Sequence, residues 1–164
     1  MAINLKISIT MPLNKSLSIR SLEPPDAAVI STFLRSQSPE YLRFFYAFGS
    51  DESEIAEILS ASEMDIYSGV FWQAPLVGIF FLRGWDAGYE IPSFGVLIDE
   101  KYRGKAFLSL TVDAAKLICR LSGINRFMVK IHPDNIALRN VHRMGFYQTG
   151  VEESTGNVIF HLDF

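Results

Sequence analysis

The stretch from Ser93 to Leu121 constrains this chain most. It reads Ser-Phe-Gly-Val-Leu-Ile, then the polar turn from Asp99 to Ala106 with one glycine and the cations Arg103 and Lys105, then an apolar-rich run from Phe107. The first segment predicts a strand. In the last, Phe107, Leu110, Thr111, Ala114, Leu117, Ile118 and Leu121 fall on one helical stripe, which Leu108, Val112, Ala115 and Cys119 widen. A strand that enters a helix through such a turn presents unpaired backbone N–H groups at the positive end of the helix dipole, and phosphate oxygens suit them. Only one glycine stands in the turn and no Gly-Lys-Ser/Thr follows it, so this is neither a dinucleotide fingerprint nor a P-loop.

The remainder narrows the class. A chain of 164 residues, 49% hydrophobic with 13 Phe, is expected to form one domain with a real core. Its net charge of -3 argues against nucleic acid as a partner. The single cysteine, Cys119, allows no internal disulfide and reads as a small buried hydrophobe on a helix. No run reaches the roughly 18 apolar residues of a membrane span, and Lys6, Pro12 and Lys15 interrupt any signal-peptide core. A cytoplasmic protein with no membrane partner is expected.

In chain order, residues 1–17 read as an N-terminal extension or an added edge strand, with the main domain at 18–164. Ser18 to Leu22 predicts a first strand, and Pro24-Pro25-Asp26 predicts the start of a helix. Tyr41 to Tyr46 reads as a second helix or a hydrophobic loop, whose aromatics line an acceptor pocket or pack in the core. Acidic residues near Ser50 to Ser53 open another helix. Asp65–Trp72 and Leu76–Arg83 form a predicted hairpin, and Glu90–Ile98 a third antiparallel strand in which Gly95 marks a bulge or a close backbone approach. Arg126–Ile131 follows the long helix as a strand parallel to the one before it, if the crossover is right-handed. A short helix at Ile136–Met144 and a final hairpin, Tyr147–Val151 with Val158–Phe164, complete the chain.

This order, with two local motifs, resembles the GNAT acetyltransferase superfamily from about Ser18 onward. The polar turn is similar to that family's acetyl-CoA pyrophosphate loop. Arg103 fits its first position, Ala106 stands where the family usually has Gly, and Leu108 where it has Gly or Ala. In the second motif Ala137, Leu138, Arg139, Arg143, Met144, Gly145 and Phe146 match. Asp134, with Asn135 next to it, holds the usual Asn position, and Val141 the position of the usual Tyr. The resemblance implies an α/β (α+β) fold whose mixed sheet is mostly antiparallel, with one splayed parallel strand pair and flanking helices. It also implies direct acetyl transfer from acetyl-CoA to an amine without a metal. The coenzyme would be held by Val96, Leu97, Ile98, Arg103, Gly104, Lys105, Ala106, Phe107 and Asn135.

The chemistry needs a neutral amine, a polarised thioester carbonyl and a proton for the leaving thiolate. Strand N–H groups near Val96 to Ile98 supply the polarisation. With Val141 in place of the tyrosine, candidate acids are His142, which points about 100° away on an ideal helix, and Tyr147. The alternative for His142 is a solvated helix face. Glu90 or Asp86 is the candidate base, unless each is a solvent-facing charge, and His132 is a weaker one. His161 is expected to face outward. The turn Leu82 to Ser93 resembles those of GNAT enzymes of bacterial surface-sugar biosynthesis, which implies an amino-sugar acceptor, free or nucleotide-linked, contacted by Arg83, Trp85, Asp86 and Tyr89; the alternative for Arg83, Trp85 and Tyr89 is packing within the hairpin. The rival readings are a protein N-terminal or side-chain amine acetyltransferase and a non-catalytic acyl-CoA-binding domain. A homodimer through the final hairpin is the expected assembly.

Overall fold

The computed structural model of the protein describes residues 6–11 and 15–164. The strands are β1 (Lys6–Met11), β2 (Lys15–Ser21), β3 (Ile66–Trp72), β4 (Leu76–Arg83), β5 (Ser93–Ile98), β6 (Arg126–Ile131), β7 (Tyr147–Val151) and β8 (Val158–Asp163). Among the described residues they form one eight-stranded sheet in the order β1-β2-β3-β4-β5-β6-β8-β7. Every neighbouring pair is antiparallel except β5 with β6. This is the mixed α+β sheet that the resemblance implied.

Local chemistry sets the helices. α1 (Ala27–Arg35) follows a 3-10 turn at Pro24–Asp26, and the Asp26 carboxylate pairs with Arg20 at 2.6 Å and accepts from Glu23 N–H at 2.9 Å. α2 (Pro39–Leu42) is a single turn, with Pro39 at its start and the Ser38 hydroxyl as cap. α3 (Glu52–Ala61) is capped by Asp51, whose Oδ1 accepts from Ser53 N–H and Glu54 N–H, both at 3.0 Å. α4 (Phe107–Leu121) closes through Ser122 and Gly123, the latter at φ +75°.

The sheet separates two cores. On one face α1 and α3 bury Ile30, Phe33, Leu34, Ile55 and Leu59 against Tyr67, Ile79 and Leu97. On the other, α4 buries Val112, Ala115, Ile118 and Cys119 against Val70, Phe80, Phe94, Phe127 and Phe160. From Ile79 onward in β4, and along β5, alternate residues serve opposite cores, as the two-residue period of a strand covered on both faces requires.

Several boundaries differ from the sequence reading. The strand expected from Ser18 is β2 and starts at Lys15, and β1 pairs along its outer edge in register from Lys6↔Arg20 to Met11↔Lys15. β5 starts at Ser93, so Glu90 belongs to the preceding turn. The expected helix at Ile136–Met144 is two 3-10 segments, Ile136–Arg139 and Val141–Met144, broken at Asn140. The pairing of β4 with β5 runs without a shift from Gly78↔Ile98 to Arg83↔Ser93, and the irregularity lies between β3 and β4 at Val70 and Phe71. Gly95 is a close approach instead: a Cβ there would stand 2.0 Å from the tip of the Phe81 ring, which lies across the strand.

Candidate functional site

β5 carries a different bond pattern on each edge. The Asp99 N–H donates to Val77 C=O at 2.9 Å, and this contact fixes the phase of the strand. In an antiparallel pair alternate residues turn both backbone groups toward the partner. Residues 93, 95, 97 and 99 therefore face β4, while 94, 96 and 98 face β6. The bond from Met128 N–H to Pro92 C=O, at 3.0 Å, agrees with this phase.

On the β6 side the ladder among the described residues has one rung, Ser93↔Met128. Beyond it the two strands diverge, so Val96 and Ile98 turn backbone groups into an open wedge. The opening is the splay expected for a parallel pair of this kind. Leu97 corrects the expected binding set: its backbone is committed to Ile79 on β4 and its side chain to the α1–α3 core. Val96 and Ile98 are the donors of the wedge; Leu97 is not one of them.

The turn after β5 brings the cations to the open end of the wedge. Gly104 has φ +74° and Ala106 φ +65°, both in the left-handed region. At Ala106 this conformation strains an L side chain and explains why glycine suits the position better. It also lets the chain enter α4 abruptly. No side chain caps the first turn of α4, which leaves the N–H groups around Phe107 to Ser109 pointing outward at the positive end of the dipole. Arg103, Gly104, Lys105 and Ala106 are all exposed around that terminus. The Arg103 guanidinium lies 5.3 Å from the centre of the Tyr41 ring, and the Lys105 ammonium 5.0 Å from that of Tyr102. Leu108 is exposed beside them.

One wall contact was not foreseen. The Tyr41 hydroxyl donates to Ile98 C=O at 2.5 Å, and burial pushes that phenol up although Arg103 opposes the shift, so it stays a donor. On the other wall His132, just past β6, stacks on Phe44 with ring centres 4.8 Å apart, and its Nδ1 accepts from Asp134 N–H at 3.2 Å. Arg43 reaches Asp134 at 3.8 Å. Tyr41 and Phe44 were visible in the sequence only as members of an aromatic cluster, because their partners lie 57 and 88 residues away.

The other expected site residues have the following partners. Asn135 caps the 3-10 segment that follows it, its Oδ1 accepting from Ala137 N–H at 2.9 Å. Val141 is buried in the α4 core. His142 is exposed; its Nδ1 pairs with Phe146 C=O at 3.1 Å, and its ring stands edge-on to Phe160 of β8, a strand outside the wedge. Tyr147, on the edge strand β7, donates its hydroxyl to Asp163 at 2.9 Å, and that bond raises its phenol. His161 contacts Thr149 at 2.7 Å on the same outer hairpin, and burial lowers its imidazole. Glu90 is exposed beyond the closed end of the wedge. None of Glu90, His142 and Tyr147 lies on the diverging segments of β5 and β6. Cys119 is fully buried, and its thiol is pushed up to about 12, an inert group.

The Leu82–Ser93 turn is occupied by its own packing. Asp86 accepts from Met64 N–H at 2.7 Å, Glu63 N–H at 3.2 Å and Asp65 N–H at 3.3 Å. Burial pushes this carboxyl up, but these backbone donors outweigh it and hold Asp86 below the usual carboxylate range. Asp65 answers by accepting from Gly84 N–H at 2.8 Å. Trp85 packs against the α4 core, whereas Tyr89 lies beside Gly84 with its side chain mostly exposed. Of the expected acceptor set only Arg83 looks toward an aromatic of the α1–α3 face, with its guanidinium 5.9 Å from the Phe81 ring centre. Asp86 is a turn clamp instead.

No protein-family profile and no curated protein matches the sequence. Solved structures do match its shape. The GNAT domain of PAT from S. lividans is similar with a TM-score of 0.77 and 16% identity, covering 97% of each chain. An acetyltransferase from Salmonella typhimurium that modifies the N-terminal serine of ribosomal protein L7/L12 is similar at 0.75 and 14%, covering 90% of this chain and 95% of that one. The PaiA N-acetyltransferase of Thermoplasma acidophilum, solved with coenzyme A, is similar at 0.69 and 17%, covering 90% and 99%. The chain therefore has the GNAT fold. Among the described residues no helix is long and apolar enough to cross a membrane, and no cluster of three or more His, Cys, Asp or Glu side chains could hold a metal.

Proposed function

We propose that this chain is an acetyltransferase, binding acetyl-CoA along the open edge of β5 and passing its acetyl group to a primary amine. The observation that carries this reading is the one-rung ladder between β5 and β6, which leaves Val96 and Ile98 turned into a wedge that ends at the α4 terminus. Acetyl-CoA supplies an activated acyl group, whose C–S bond is exchanged for a C–N bond to the amine. The N–H groups at the start of α4 and the side chains of Arg103 and Lys105 hold the diphosphate. Val96 and Ile98 align the amide-bearing arm, and a strand N–H polarises the thioester carbonyl without any special side chain.

For the acceptor, two observations favour a protein N-terminal amine over an amino sugar. The turn that suggested a sugar spends Trp85 and Asp86 on its own packing. A structure of the same fold modifies the N-terminal serine of a ribosomal protein. Titration calorimetry with acetyl-CoA, followed by thiol release over a panel of amino sugars and of peptides with free or blocked N-termini, tests both parts. Turnover on free but not blocked N-termini is expected. Turnover on amino sugars alone overturns the acceptor, and tight binding without turnover on any amine supports the non-catalytic alternative.

A further inference from the structure

Residues 37–44 touch both walls of the wedge. Toward β5 and its turn, Glu100 N–H donates to Oε1 of the buried Gln37 at 3.0 Å, and Ser38 donates its N–H and its hydroxyl to the Glu100 carboxylate, each at 3.0 Å. Three residues on, Tyr41 gives its hydroxyl to Ile98 C=O and its ring face to Arg103. Toward β6, Phe44 stacks on His132 and Arg43 reaches Asp134. The Ser38 and Gln37 contacts hold the turn in place through exposed and main-chain groups, as any loop brace would. The Tyr41 contacts differ in kind, because their two partners are groups of the coenzyme site itself: the last β6-facing carbonyl of β5 and the leading cation of the phosphate turn.

Resting on the acetyltransferase reading above, we propose that Tyr41 is a positioning residue of the coenzyme site. Its hydroxyl fixes the carbonyl of the Ile98–Asp99 peptide unit, where β5 leaves the wedge and enters the turn that carries Arg103. Its ring holds the Arg103 guanidinium over the α4 terminus, where the diphosphate would lie. An exposed arginine otherwise samples many rotamers, and fixing it in advance reduces the entropy lost on binding. Tyr41 thus acts on coenzyme affinity through Ile98 and Arg103, and not on the acyl-transfer step.

Tyr41→Phe removes the hydroxyl and keeps the ring, while Tyr41→Leu removes both. The Kd for coenzyme A is expected to rise roughly three- to tenfold in the first, the range of one net hydrogen bond, and further in the second. The KM for acetyl-CoA should follow, with kcat at saturating acetyl-CoA unchanged. The decisive readout is a double-mutant cycle. With Arg103→Ala already present, Tyr41→Leu should cost much less coenzyme affinity than it does in the wild type, since the ring then has nothing to hold. Full additivity of the two changes, an unchanged Kd in both Tyr41 variants with only the melting temperature lowered, or a fall in kcat alone overturns the proposal. Wild-type protein that fails to bind coenzyme A overturns the acetyltransferase reading, and this one with it; wild-type binding with unaffected variants overturns this one only.

Discussion

The two edges of β5 are built from the same six residues and end in opposite states. Against β4 the strand is zipped from Ser93 to Ile98, while against β6 it keeps a single rung at Ser93 among the described residues. Side chains do not separate the edges, since Phe94, Val96 and Ile98 are as apolar as their neighbours. The difference lies in how the partners arrive. β4 leads into β5 through the local turn 84–92, clamped by Asp65 and Asp86, whereas β6 returns through the long crossover of α4 and pairs with β5 only at the start of β5. A parallel ladder interrupted so early leaves backbone donors that water satisfies in the free protein and that a ligand can take over.

The comparison can be broken most forcefully at the mouth of the open edge. Arg103→Glu places a carboxylate where the diphosphate would lie. It should weaken coenzyme A binding by at least about 100-fold through lost attraction and added repulsion, with an unchanged melting temperature because the side chain is exposed. Calorimetry paired with thermal unfolding checks both halves, and unaltered affinity removes the turn from the account.

The zipped edge responds through packing. Gly95→Val puts a side chain into the Phe81 ring, 2.0 Å from where its Cβ would stand, and should cost roughly 1–3 kcal/mol of stability. In a Phe81→Ala background most of that cost should vanish. Chemical denaturation of the four proteins of the cycle measures the coupling, and a null coupling would mean that the ring does not dictate the glycine.

At the closed end, Asp86→Ala should lower stability by about 1 kcal/mol, a figure reduced for the exposure of the group, and leave coenzyme affinity unchanged. The Asp86 carboxyl is depressed in the folded protein, so its contribution is complete above the unfolded carboxylate value near ~3.9 and is lost as pH falls through the lower folded one. The gap between variant and wild type should therefore stay constant near neutrality and close in acid, as urea titrations at several pH values would reveal. A smaller effect is expected at the entry to α4. Ala106→Gly relieves a left-handed alanine and should raise stability by roughly half to 1 kcal/mol, seen as a higher denaturation midpoint. A lower midpoint would show that the alanine methyl packs usefully.

Much of this architecture was legible in the sequence because it is periodic or local. The α4 stripe, the hairpin strands, the caps and the polar turn each announce themselves within a few neighbouring residues. The assignment of Leu97 to the wedge failed because the phase of a strand's hydrogen bonds is set by its partner, here through Asp99 and Val77. Asp86 looked like an acceptor contact because an exposed carboxylate in an aromatic turn does not disclose that three N–H groups from residues 63–65 converge on it. The helix expected at 136–144 broke into 3-10 turns at Asn140, which a helical count of apolar positions does not reveal. Tyr41 became informative only when the fold brought its hydroxyl to Ile98 and its ring to Arg103.

Amide hydrogen exchange along β5, with and without acetyl-CoA, bears most directly on the claim that one edge is closed and the other kept for the coenzyme. The Gly95 and Leu97 amides should be protected in both states, whereas those of Val96 and Ile98 should exchange fast in the free protein and slow when acetyl-CoA is present. Val96 and Ile98 amides that are already protected without ligand, or that exchange equally fast with it, would contradict the account.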